Sequence, residues 1–306
     1  MKRRQFIKTA GLTTGAILTG SLPLAAMPKE KLLHLTILHT NDTHSRIEPF
    51  PMDGGKYQGL GGVEPRSRLI DKIRREVDNV LLLDAGDFCQ GTPYFNLFDG
   101  ELEVRLMSKL GYDAGVPGNH DFDKGIDNLS KQLKAHANFP LIASNYDLSR
   151  TSLKDIVLPR HVIQKGDIKI GLVGAGIVLD GLVTPMMYGD VKFLDTVETV
   201  DKQAEILKNE EKCDLVVCLS HLGYAYQSDR MSDVVLAKES RHIDIIVGGH
   251  THTFLDEPTI IKNKLDKPVF VNQAGWAGIQ LGRLDITMER NKKDVCVNCK
   301  NYWVKS

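Results

Sequence analysis

The chain has 306 residues, with 39 acidic and 39 basic side chains, so its formal net charge is zero. This balance argues against a protein that binds nucleic acid or a membrane surface through an overall positive field. Apolar residues make up 42% of the chain, which is enough for a hydrophobic core and argues against intrinsic disorder.

Residues 1–26 predict a removable export signal. A basic head precedes a weakly apolar stretch, Thr9–Leu24, and the small residues Ala25 and Ala26 precede a polar start. The double arginine of KRRQFIK resembles a twin-arginine signal. Thr, Gly and Pro dilute the apolar stretch, which is also too short for a good membrane span. We expect cleavage after Ala26, a periplasmic or otherwise exported product, and no stable membrane insertion after cleavage.

Beyond this signal, short apolar runs alternate with amphipathic stretches. The apolar runs predict buried strands at Leu33–Leu38, Val80–Leu83, Pro140–Ala143, Ile168–Val173, Leu215–Leu219, Ile243–Val247 and Pro268–Val271. The amphipathic stretches predict helices at Val63–Val77, Glu101–Leu110, Ile126–Ala135, Val200–Glu211 and Ser232–Glu239. Two final strands, Ile279–Met288 and Asp294–Val304, are predicted around a polar turn at Glu289–Lys293. The alternation favours a layered α/β fold in one domain, residues 27–306, over a helical bundle or an all-β sandwich.

Two motifs carry little functional weight. Cys296 and Cys299 form a CxxC motif, but residues three apart on a strand point to opposite faces, which disfavours a shared disulfide or metal. The five cysteines give no disulfide framework in a chain of this length, so a structural role is favoured for this pair and its actual role stays open. The segment GGKYQGLGG lacks the GK[ST] ending of a phosphate-binding loop.

Five segments end in polar side chains that a packed core would reject. They carry Asp42 and His44, Asp84 and Asp87, the run NHDFD from Asn119 to Asp123, His221, and His250 and His252. In open α/β sheets, the carboxyl ends of the strands form the ligand crevice. We therefore expect these segments to deliver Asp, Asn and His side chains to one edge of the fold.

The spacing and chemistry of these residues predict a metal site. Asp42 and His44 are two residues apart, as are His250 and His252, and residues two apart in extended backbone project in the same direction. Oxygen and imidazole ligands without thiolate suit zinc, manganese or iron. The ligands are too many for one tetrahedral ion but fit two ions that share a carboxylate, an arrangement typical of phosphate-ester hydrolysis.

Each of these residues alone has an ordinary interpretation. His221 alone would more often be a buried histidine with satisfied hydrogen bonds. Asp84 could bond to nearby backbone amides, and Asn119 could belong to a turn. The specific signal is the joint pattern. The other histidines lack this setting and are interpreted as structural: His34, His39, His136, His161 and His242.

The five segments resemble, in order, the signatures of the calcineurin-like metallophosphatases: D-x-H, G-D, G-N-H-[DE], H and G-H-x-H. More narrowly, ILHTNDTH, LLLDAGD, GYDAGVPGNHDFD and IDIIVGGHTHT resemble the catalytic domain of secreted bacterial 5'-nucleotidases. The similarity runs from about Leu33 to Met288. The resemblance implies an α/β metallophosphatase sandwich, in which two mixed β-sheets are flanked by helices.

Carried over residue by residue, the resemblance implies a site for two divalent metal ions. The first ion would be held by Asp42, His44, Asp87 and His252, and Asp87 would bridge to a second ion held by Asn119, His221 and His250. Asp84 would support the site without being a ligand. The nucleotidases often have Gln where His252 stands; this departure keeps a ligand but bears on metal preference, so zinc, manganese and iron all stay open.

The resemblance also implies the catalytic groups. His120 would be the general acid or transition-state stabiliser, oriented by Asp123, and Asn119 and His120 would contact the substrate phosphate. Asp121 and Phe122 are interpreted as turn and packing residues. The expected reaction is in-line attack on phosphorus by a hydroxide that the two cations make available near neutral pH, without a phosphoenzyme.

These observations predict an exported phosphoric-ester hydrolase that removes phosphate from nucleotides. Two alternatives stay open: another hydrolase of the superfamily, acting on cyclic nucleotides, nucleotide-sugars or a sulfur-oxidation intermediate (a thiosulfohydrolase), and a binding subunit without turnover. The resembling nucleotidases carry a second domain that binds base and ribose, and the chain stops at Ser306, where that domain would begin. Either the substrate range is broad and binding is weak, or a separate chain supplies such a domain. We favour the second, so that chain is an expected partner besides the phosphate-ester substrate; duplex nucleic acid is not.

Overall fold

The architecture comes from a computed structural model that describes residues 32–289 and 295–306. The signal predicted at residues 1–26 and most of the turn predicted at residues 289–293 lie outside this part of the chain. The strands are β1 (Leu32–Thr40), β2 (Val80–Asp84), β3 (Ala114–Gly115), β4 (Leu141–Ile142), β5 (Tyr146–Asp147), β6 (Val157–Leu158), β7 (Arg160–Lys165), β8 (Ile168–Ala175), β9 (Lys192–Phe193), β10 (Leu215–Ser220), β11 (Ile245–Gly248), β12 (Thr259–Lys262), β13 (Pro268–Gln273), β14 (Gln280–Glu289), β15 (Val295–Cys299) and β16 (Tyr302–Trp303). The helices are α1 (Val63–Glu76), α2 (Pro93–Phe98), α3 (Glu101–Leu110), α4 (Ile126–His136), α5 (Pro185–Tyr188), α6 (Thr196–Asn209) and α7 (Asp233–Glu239), with a 3-10 turn at His120–Phe122.

The first sheet has the strand order β15-β14-β1-β2-β3-β4-β6, and β16 also pairs with β14. Strands β1, β2, β3, β4 and β6 run parallel to one another. Strand β14 runs antiparallel to β1, in a register that places Leu32 opposite Glu289 and His39 opposite Gly282. This sheet is therefore mixed, with its parallel strands ending at a common edge.

The second sheet has the strand order β12-β13-β11-β10-β8-β7. Its four inner strands, β8, β10, β11 and β13, are parallel. The outer strands β7 and β12 are antiparallel to their neighbours. A small antiparallel pair, β5 and β9, lies outside both sheets. The second sheet is also mixed, and its parallel inner strands again share one carboxyl edge.

Alternate strand residues build the layers. One set lies between the two sheets and includes Leu35, Ile37, Leu81, Leu83, Ile170, Leu172, Val217 and Val247. The opposite set on the first sheet, such as Leu38 and Leu82, packs under α1, α3 and α4. On the second sheet, Val216 and Cys218 pack against α6 and α7. Because successive strand residues face opposite sides, apolar runs of this kind become strands covered on both faces, and the result is a helix–sheet–sheet–helix sandwich.

The predicted fold class, two mixed sheets flanked by helices, is confirmed. Several predicted boundaries differ slightly from the observed ones. The largest error is at the helix expected at Val200–Glu211, which begins at Thr196 because Asp195 accepts the backbone N–H of Glu198 at 2.8 Å and caps the helix. The strand expected at Asp294–Val304 is divided into β15 and β16.

Two smaller expectations concern cysteines and membrane spans. Cys296 is exposed and Cys299 is half-buried, and both are free, as their spacing on β15 predicts. Among the residues that the structure describes, no helix has both the length and the apolar character that a membrane span requires.

Candidate metal centre

The predicted ligands lie in loops that follow parallel strands of both sheets. The loops after β1, β2, β3, β10 and β11 carry, in turn, Asp42 and His44, Asp87, Asn119, His221, and His250 and His252. In each sheet these strands are parallel neighbours, so their loops leave from one edge. The two edges meet, and the structure brings all of the predicted ligands together there.

One cluster consists of Asp42, His44 and His252. The His252 Nε2 atom lies 3.3 Å from Asp42 Oδ1 and 3.1 Å from His44 Nε2. Asp42 is fully buried, and its carboxylate accepts hydrogen bonds from the Asn41 side chain at 2.6 Å and from the His250 backbone N–H at 2.9 Å. A carboxylate oxygen and two imidazole nitrogens therefore converge on one point.

A second cluster consists of Asp87, His221 and His250. His221 Nε2 lies 3.1 Å from Asp87 Oδ2, and His250 Nδ1 lies 3.0 Å from Asn119 Oδ1, which adds the amide to the group. Asp87 Oδ2 is also 4.0 Å from His44 Nε2 in the first cluster. Asp87 thus lies between the two clusters, where a carboxylate shared by two ions has to lie.

The backbone around these ligands differs from the extended conformation expected for the paired residues. Asp42, His44, His250 and His252 all have positive φ, between 48° and 72°. The expectation that the two members of a pair project in the same direction is wrong for the histidine pair, because His250 joins the second cluster and His252 the first. Asp42 and His44 do share a cluster, although their backbone is not extended either.

The donor set fits divalent cations of the zinc, manganese or iron kind, because it offers carboxylate, imidazole and amide groups but no thiolate. His221 illustrates the fit. It donates its Nδ1–H to the Ala85 carbonyl at 2.6 Å, which directs its buried Nε2 toward Asp87 Oδ2, 3.1 Å away. A backbone carbonyl that fixes one ring nitrogen while the other faces a carboxylate is typical of a metal-binding histidine.

Charges in the clusters are strongly coupled. Burial alone would lower the pKa of His221, but the carboxylates of Asp87 and Asp42 raise that pKa to about 10. Burial alone would raise the pKa of Asp87, but His221 and His44 lower it below its ordinary value. Burial lowers the pKa of His250 to about 4. A cation that takes the His221 nitrogen therefore displaces a proton, whereas His250 is already neutral at pH 7.

His120 and Asp123 lie beside the clusters as a bonded pair. His120 Nδ1 lies 2.8 Å from Asp123 Oδ2, and its backbone N–H donates to Asp87 Oδ1 at 2.8 Å. The hydrogen bond to Asp123 raises the pKa of His120. The imidazole makes an edge contact with His44, with ring centroids 5.4 Å apart. This ring lines a pocket of about 400 Å³ together with His44 and His252.

Asp84, expected to support the site, is buried and bonds away from the clusters. It accepts the Thr40 hydroxyl at 2.6 Å and the Gly86 backbone N–H at 2.9 Å. Burial raises the pKa of Asp84 to about 7, against the effect of these two hydrogen bonds. Among the described residues, none of the five histidines interpreted as structural belongs to either cluster.

Asp121 has a larger part than the turn role expected for it. Its buried carboxylate accepts backbone N–H groups from Gly118 at 2.7 Å, Cys89 at 3.0 Å and Asp87 at 3.1 Å. It thereby joins the loop after β2 to the loop after β3. An acidic residue directly after Asn119 and His120 was the available signal, but the contacts to the β2 loop depend on tertiary structure.

Gly118 is needed for space rather than for a left-handed turn. A Cβ atom at Gly118 would lie 2.2 Å from Asp87 Oδ1 and 2.4 Å from Asp87 N. Its φ is not among the positive values found for other glycines of the described chain. The residue therefore lets the backbone after β3 approach the Asp87 carboxylate closely.

Two further residues line the same pocket and had no place in the expected site. Trp276, in the loop after β13, stacks on His252 with ring centroids 5.5 Å apart and an angle of 3° between the planes. Arg46 lies in the loop after β1, with its guanidinium carbon 4.1 Å from the Phe50 ring centroid. The aromatic residue in the short segment AGWAG was a signal, but nothing in the sequence connects it to His252.

Residues 35–254 match the family described as calcineurin-like phosphoesterase. A snake venom 5'-nucleotidase from Gloydius brevicauda is 35% identical over 277 residues, which cover 83% of this chain and 45% of the relative. A 5'-nucleotidase from Vibrio cholerae is 34% identical over 288 residues, which cover 86% of this chain and 50% of the relative.

Among solved structures, a 5'-nucleotidase precursor from Thermus thermophilus matches with a TM-score of 0.78 and 33% sequence identity, over 89% of this chain and 55% of that one. The chain thus spans about half the length of the relatives it matches. The family match covers most of the chain and includes every predicted metal ligand. The chain belongs to the calcineurin-like phosphoesterase family.

Proposed function

We propose that this protein is an exported, metal-dependent phosphoric monoester hydrolase that removes phosphate from nucleotides. The observation that carries the proposal is the convergence of two ligand clusters beside the His120–Asp123 pair, with Asp87 between the clusters. Such an arrangement is typical of two-metal phosphate-ester hydrolysis. The nucleotide preference is supported by the similarity to 5'-nucleotidases.

In this proposal, the two clusters would hold two divalent cations. Asp42, His44 and His252 would hold the first, Asn119, His221 and His250 would hold the second, and Asp87 would serve both. When bound, the two ions polarise the phosphoryl oxygens and supply a water of lowered pKa. The chain contributes rigid placement: Asp42 and Asp87 are fixed by backbone N–H groups, and His221 is fixed by the Ala85 carbonyl.

His120 acts on the leaving oxygen. Asp123 binds its Nδ1, which leaves Nε2 as the ring nitrogen available to a substrate in the pocket. Because the carboxylate raises the pKa of His120, the imidazolium persists to higher pH and can donate a hydrogen bond or a proton to the oxygen on which charge develops. Asn119 directly precedes His120, and its side chain would contact the phosphate group of the same substrate.

The test is hydrolysis by the full chain after removal of metals with a chelator and reconstitution with Zn²⁺, Mn²⁺ or Fe²⁺ separately. AMP and p-nitrophenyl phosphate are the first substrates, followed by a cyclic nucleotide, a nucleotide-sugar and a thiosulfonate. We expect phosphate release from AMP, and a kcat for His120→Ala that is lower by roughly 10²–10⁴-fold at unchanged metal content. His161→Ala, a half-exposed histidine on β7, is the matched control and should keep full activity.

The possible results separate the alternatives. Equal activity of His120→Ala and the parent chain would exclude the catalytic role of His120. Turnover of the cyclic nucleotide, the nucleotide-sugar or the thiosulfonate in place of AMP would support another hydrolase of the superfamily. Binding of two metal ions without turnover of any substrate would support a binding subunit.

Two parts of the proposal concern the whole protein. Export rests on the signal predicted at residues 1–26, which would leave one mature domain from residue 27 to residue 306. It is tested by finding the cleaved product outside the cytoplasm of a bacterial host.

A separate chain that supplies a nucleoside-binding domain also stays a prediction. If adding a co-purified protein leaves the KM for AMP unchanged, that partner is excluded.

A further inference from the structure

His252 is far more exposed than the most buried of the predicted ligands. Its side chain is 39% exposed, whereas the side chains of Asp42, Asp87 and His221 are at most 2% exposed. Its backbone has a φ of 52°, in the left-handed region that non-glycine residues rarely adopt. An exposed side chain on such a backbone needs support if its ring is to stay in one orientation.

Hydrogen bonds give His221 and Asp42 this support, whereas the Nδ1 atom of His44 is buried without a hydrogen-bond partner in the described part of the chain. His221 donates to the Ala85 carbonyl at 2.6 Å, and Asp42 accepts from two nitrogens. A metal-binding histidine ordinarily donates the N–H of its second ring nitrogen to a carbonyl or carboxylate, and this hydrogen bond fixes the plane of the ring. For His252, no protein group among the described residues bonds to Nδ1, and its polar contacts, to His44 and Asp42, both involve Nε2.

Trp276 takes the place of that hydrogen bond. The planes of the indole and of the His252 imidazole are nearly parallel, with an angle of 3° between them and ring centroids 5.5 Å apart. Trp276 itself contacts Phe50 and Tyr57 edge-on, with centroid distances of 5.9 Å and 6.1 Å. A flat ring packed against a second flat ring cannot rotate out of plane without losing the contact.

The loop that carries Trp276 is joined to the metal-binding loop after β1. The backbone N–H of Ala277 donates to the Asp42 carbonyl at 2.7 Å, and the Ile279 N–H donates to the Trp276 carbonyl at 3.1 Å. The indole is therefore fixed relative to Asp42, the partner that His252 must face.

We propose that Trp276 is a positioning residue for the first metal ion: its indole holds the His252 imidazole with Nε2 directed at Asp42 and His44. The inference rests on the ligand role proposed for His252. It assigns to Trp276 no contact with substrate and no part in proton transfer. It predicts that Trp276 and His252 are energetically coupled in metal binding.

The test measures metal affinity directly, without turnover. Metal-free full chain is titrated with Zn²⁺ in competition with a chelating indicator, for the parent, Trp276→Leu, Trp276→Phe, His252→Gln and the double variant Trp276→Leu/His252→Gln. We expect Trp276→Leu to weaken one of two sites by about 10-fold, the lower end of the loss seen when a ligand's supporting partner is removed. Trp276→Phe should restore most of this affinity, because it keeps a ring in the stack. In the His252→Gln background, Trp276→Leu should have little further effect, because an amide has no ring to stack.

A second measurement uses the indole as a reporter. The chain has two tryptophans, and Trp303→Phe leaves Trp276 alone. Its emission should change on Zn²⁺ addition and saturate with the first site, and the change should be lost in Trp303→Phe/His252→Gln. Circular dichroism of each variant confirms that it is folded.

The outcomes separate this inference from the proposed function. If Trp276→Leu binds two ions as tightly as the parent, or loses the same affinity in the His252→Gln background, the positioning role is excluded while the metal centre stands. If the parent chain binds no metal, the metal centre and the role of Trp276 are both excluded.

Discussion

Several predicted ligands hold a backbone conformation that most residues avoid. Asp42, His44, Asp87, His250 and His252 have φ values between 48° and 72°. Such residues each cost on the order of 1–3 kcal/mol and persist only where neighbouring structure determines them. The loops supply this determination to one another, since the N–H groups of Asp42 and His44 donate to the carbonyls of Gly86 and Asp87. The backbone at the ligands is therefore fixed by hydrogen bonds between the loops that carry them.

Asp121 joins the loop after β2 to the loop after β3 through hydrogen bonds to its carboxylate. The substitution Asp121→Asn tests how much these hydrogen bonds contribute to stability and to metal binding. An amide places an NH₂ group where one carboxylate oxygen now accepts a backbone N–H, so at least one of the bonds from Asp87, Cys89 and Gly118 is lost. We expect the free energy of unfolding to fall by about 1–3 kcal/mol, as for a buried donor left unpaired, and zinc affinity to fall with it. Urea unfolding and the chelator titration measure the two effects.

The matched control for this change is Asp127→Asn, which removes an exposed carboxylate near the start of α4. It should change the free energy of unfolding by no more than about 0.5 kcal/mol, as is usual for surface substitutions, and leave zinc affinity unchanged. If Asp121→Asn behaves like this control, Asp121 has only the turn role expected from the sequence.

At the scale of elements, α7 is joined to β10 by a buried acid. Asp233, the first residue of α7, is fully buried, and its Oδ1 accepts the hydroxyl of Ser220 at the end of β10. Its Oδ2 atom has no hydrogen-bond partner within the described chain. Burial raises the pKa of Asp233 to about 8, although the Ser220 hydrogen bond lowers it somewhat. The contact is therefore built around a protonated carboxyl group at neutral pH.

This raised pKa predicts how stability changes with pH. The unfolded chain loses the Asp233 proton near pH 4, whereas the folded chain keeps it until about pH 8. Between these values the folded state binds more protons, so the contribution of Asp233 to the free energy of unfolding falls as pH rises, by up to about 1.4 kcal/mol per pH unit. Asp233→Asn cannot ionise and lacks this term.

We therefore expect Asp233→Asn to gain stability relative to the parent as pH rises from about 4 to about 8, with no further gain above that. Urea unfolding of both metal-free proteins at several pH values and constant salt measures the difference, with Asp127→Asn as the exposed control. A difference that is independent of pH would show that Asp233 ionises in the folded protein as it does in the unfolded one.

At the scale of the molecule, most of the sandwich could be predicted from the sequence, because strands buried on both faces must be apolar throughout. Val80–Asp84 is such a strand. The strand Ala114–Gly115 could not be predicted, because two small residues carry no pattern and their pairing is decided by β2 and β4. The edge strand Arg160–Lys165 was also missed, since only its pairing with β8 makes it a strand.

The candidate site divides in a similar way. That the candidate ligands meet at one edge could be predicted, because each follows a strand in a recognisable motif. The left-handed backbone, the bonds of Asp121 to the β2 loop and the stack of Trp276 on His252 could not, since all three depend on contacts between segments far apart in the chain. Local sequence specifies which residues reach the sheet edge, and tertiary contacts specify their orientation.

The placement of the ligands predicts a link between metal binding and overall stability. Each cluster takes ligands from both sheets, since His252 of the second sheet meets Asp42 of the first, and His221 meets Asp87. An ion in either cluster would therefore connect the two sheets, and unfolding would have to break that connection.

With free Zn²⁺ at about 1,000 times Kd, each site should add about 4 kcal/mol to the free energy of unfolding. That corresponds to a rise in Tm of roughly 10 °C per site, measured by scanning calorimetry with and without a chelator. Asp87→Asn removes the shared ligand, so most of this metal-dependent shift should be lost, whatever the stability of the variant without metal. A parent chain whose Tm is the same with Zn²⁺ and with chelator would show that no ion joins the two sheets at this edge.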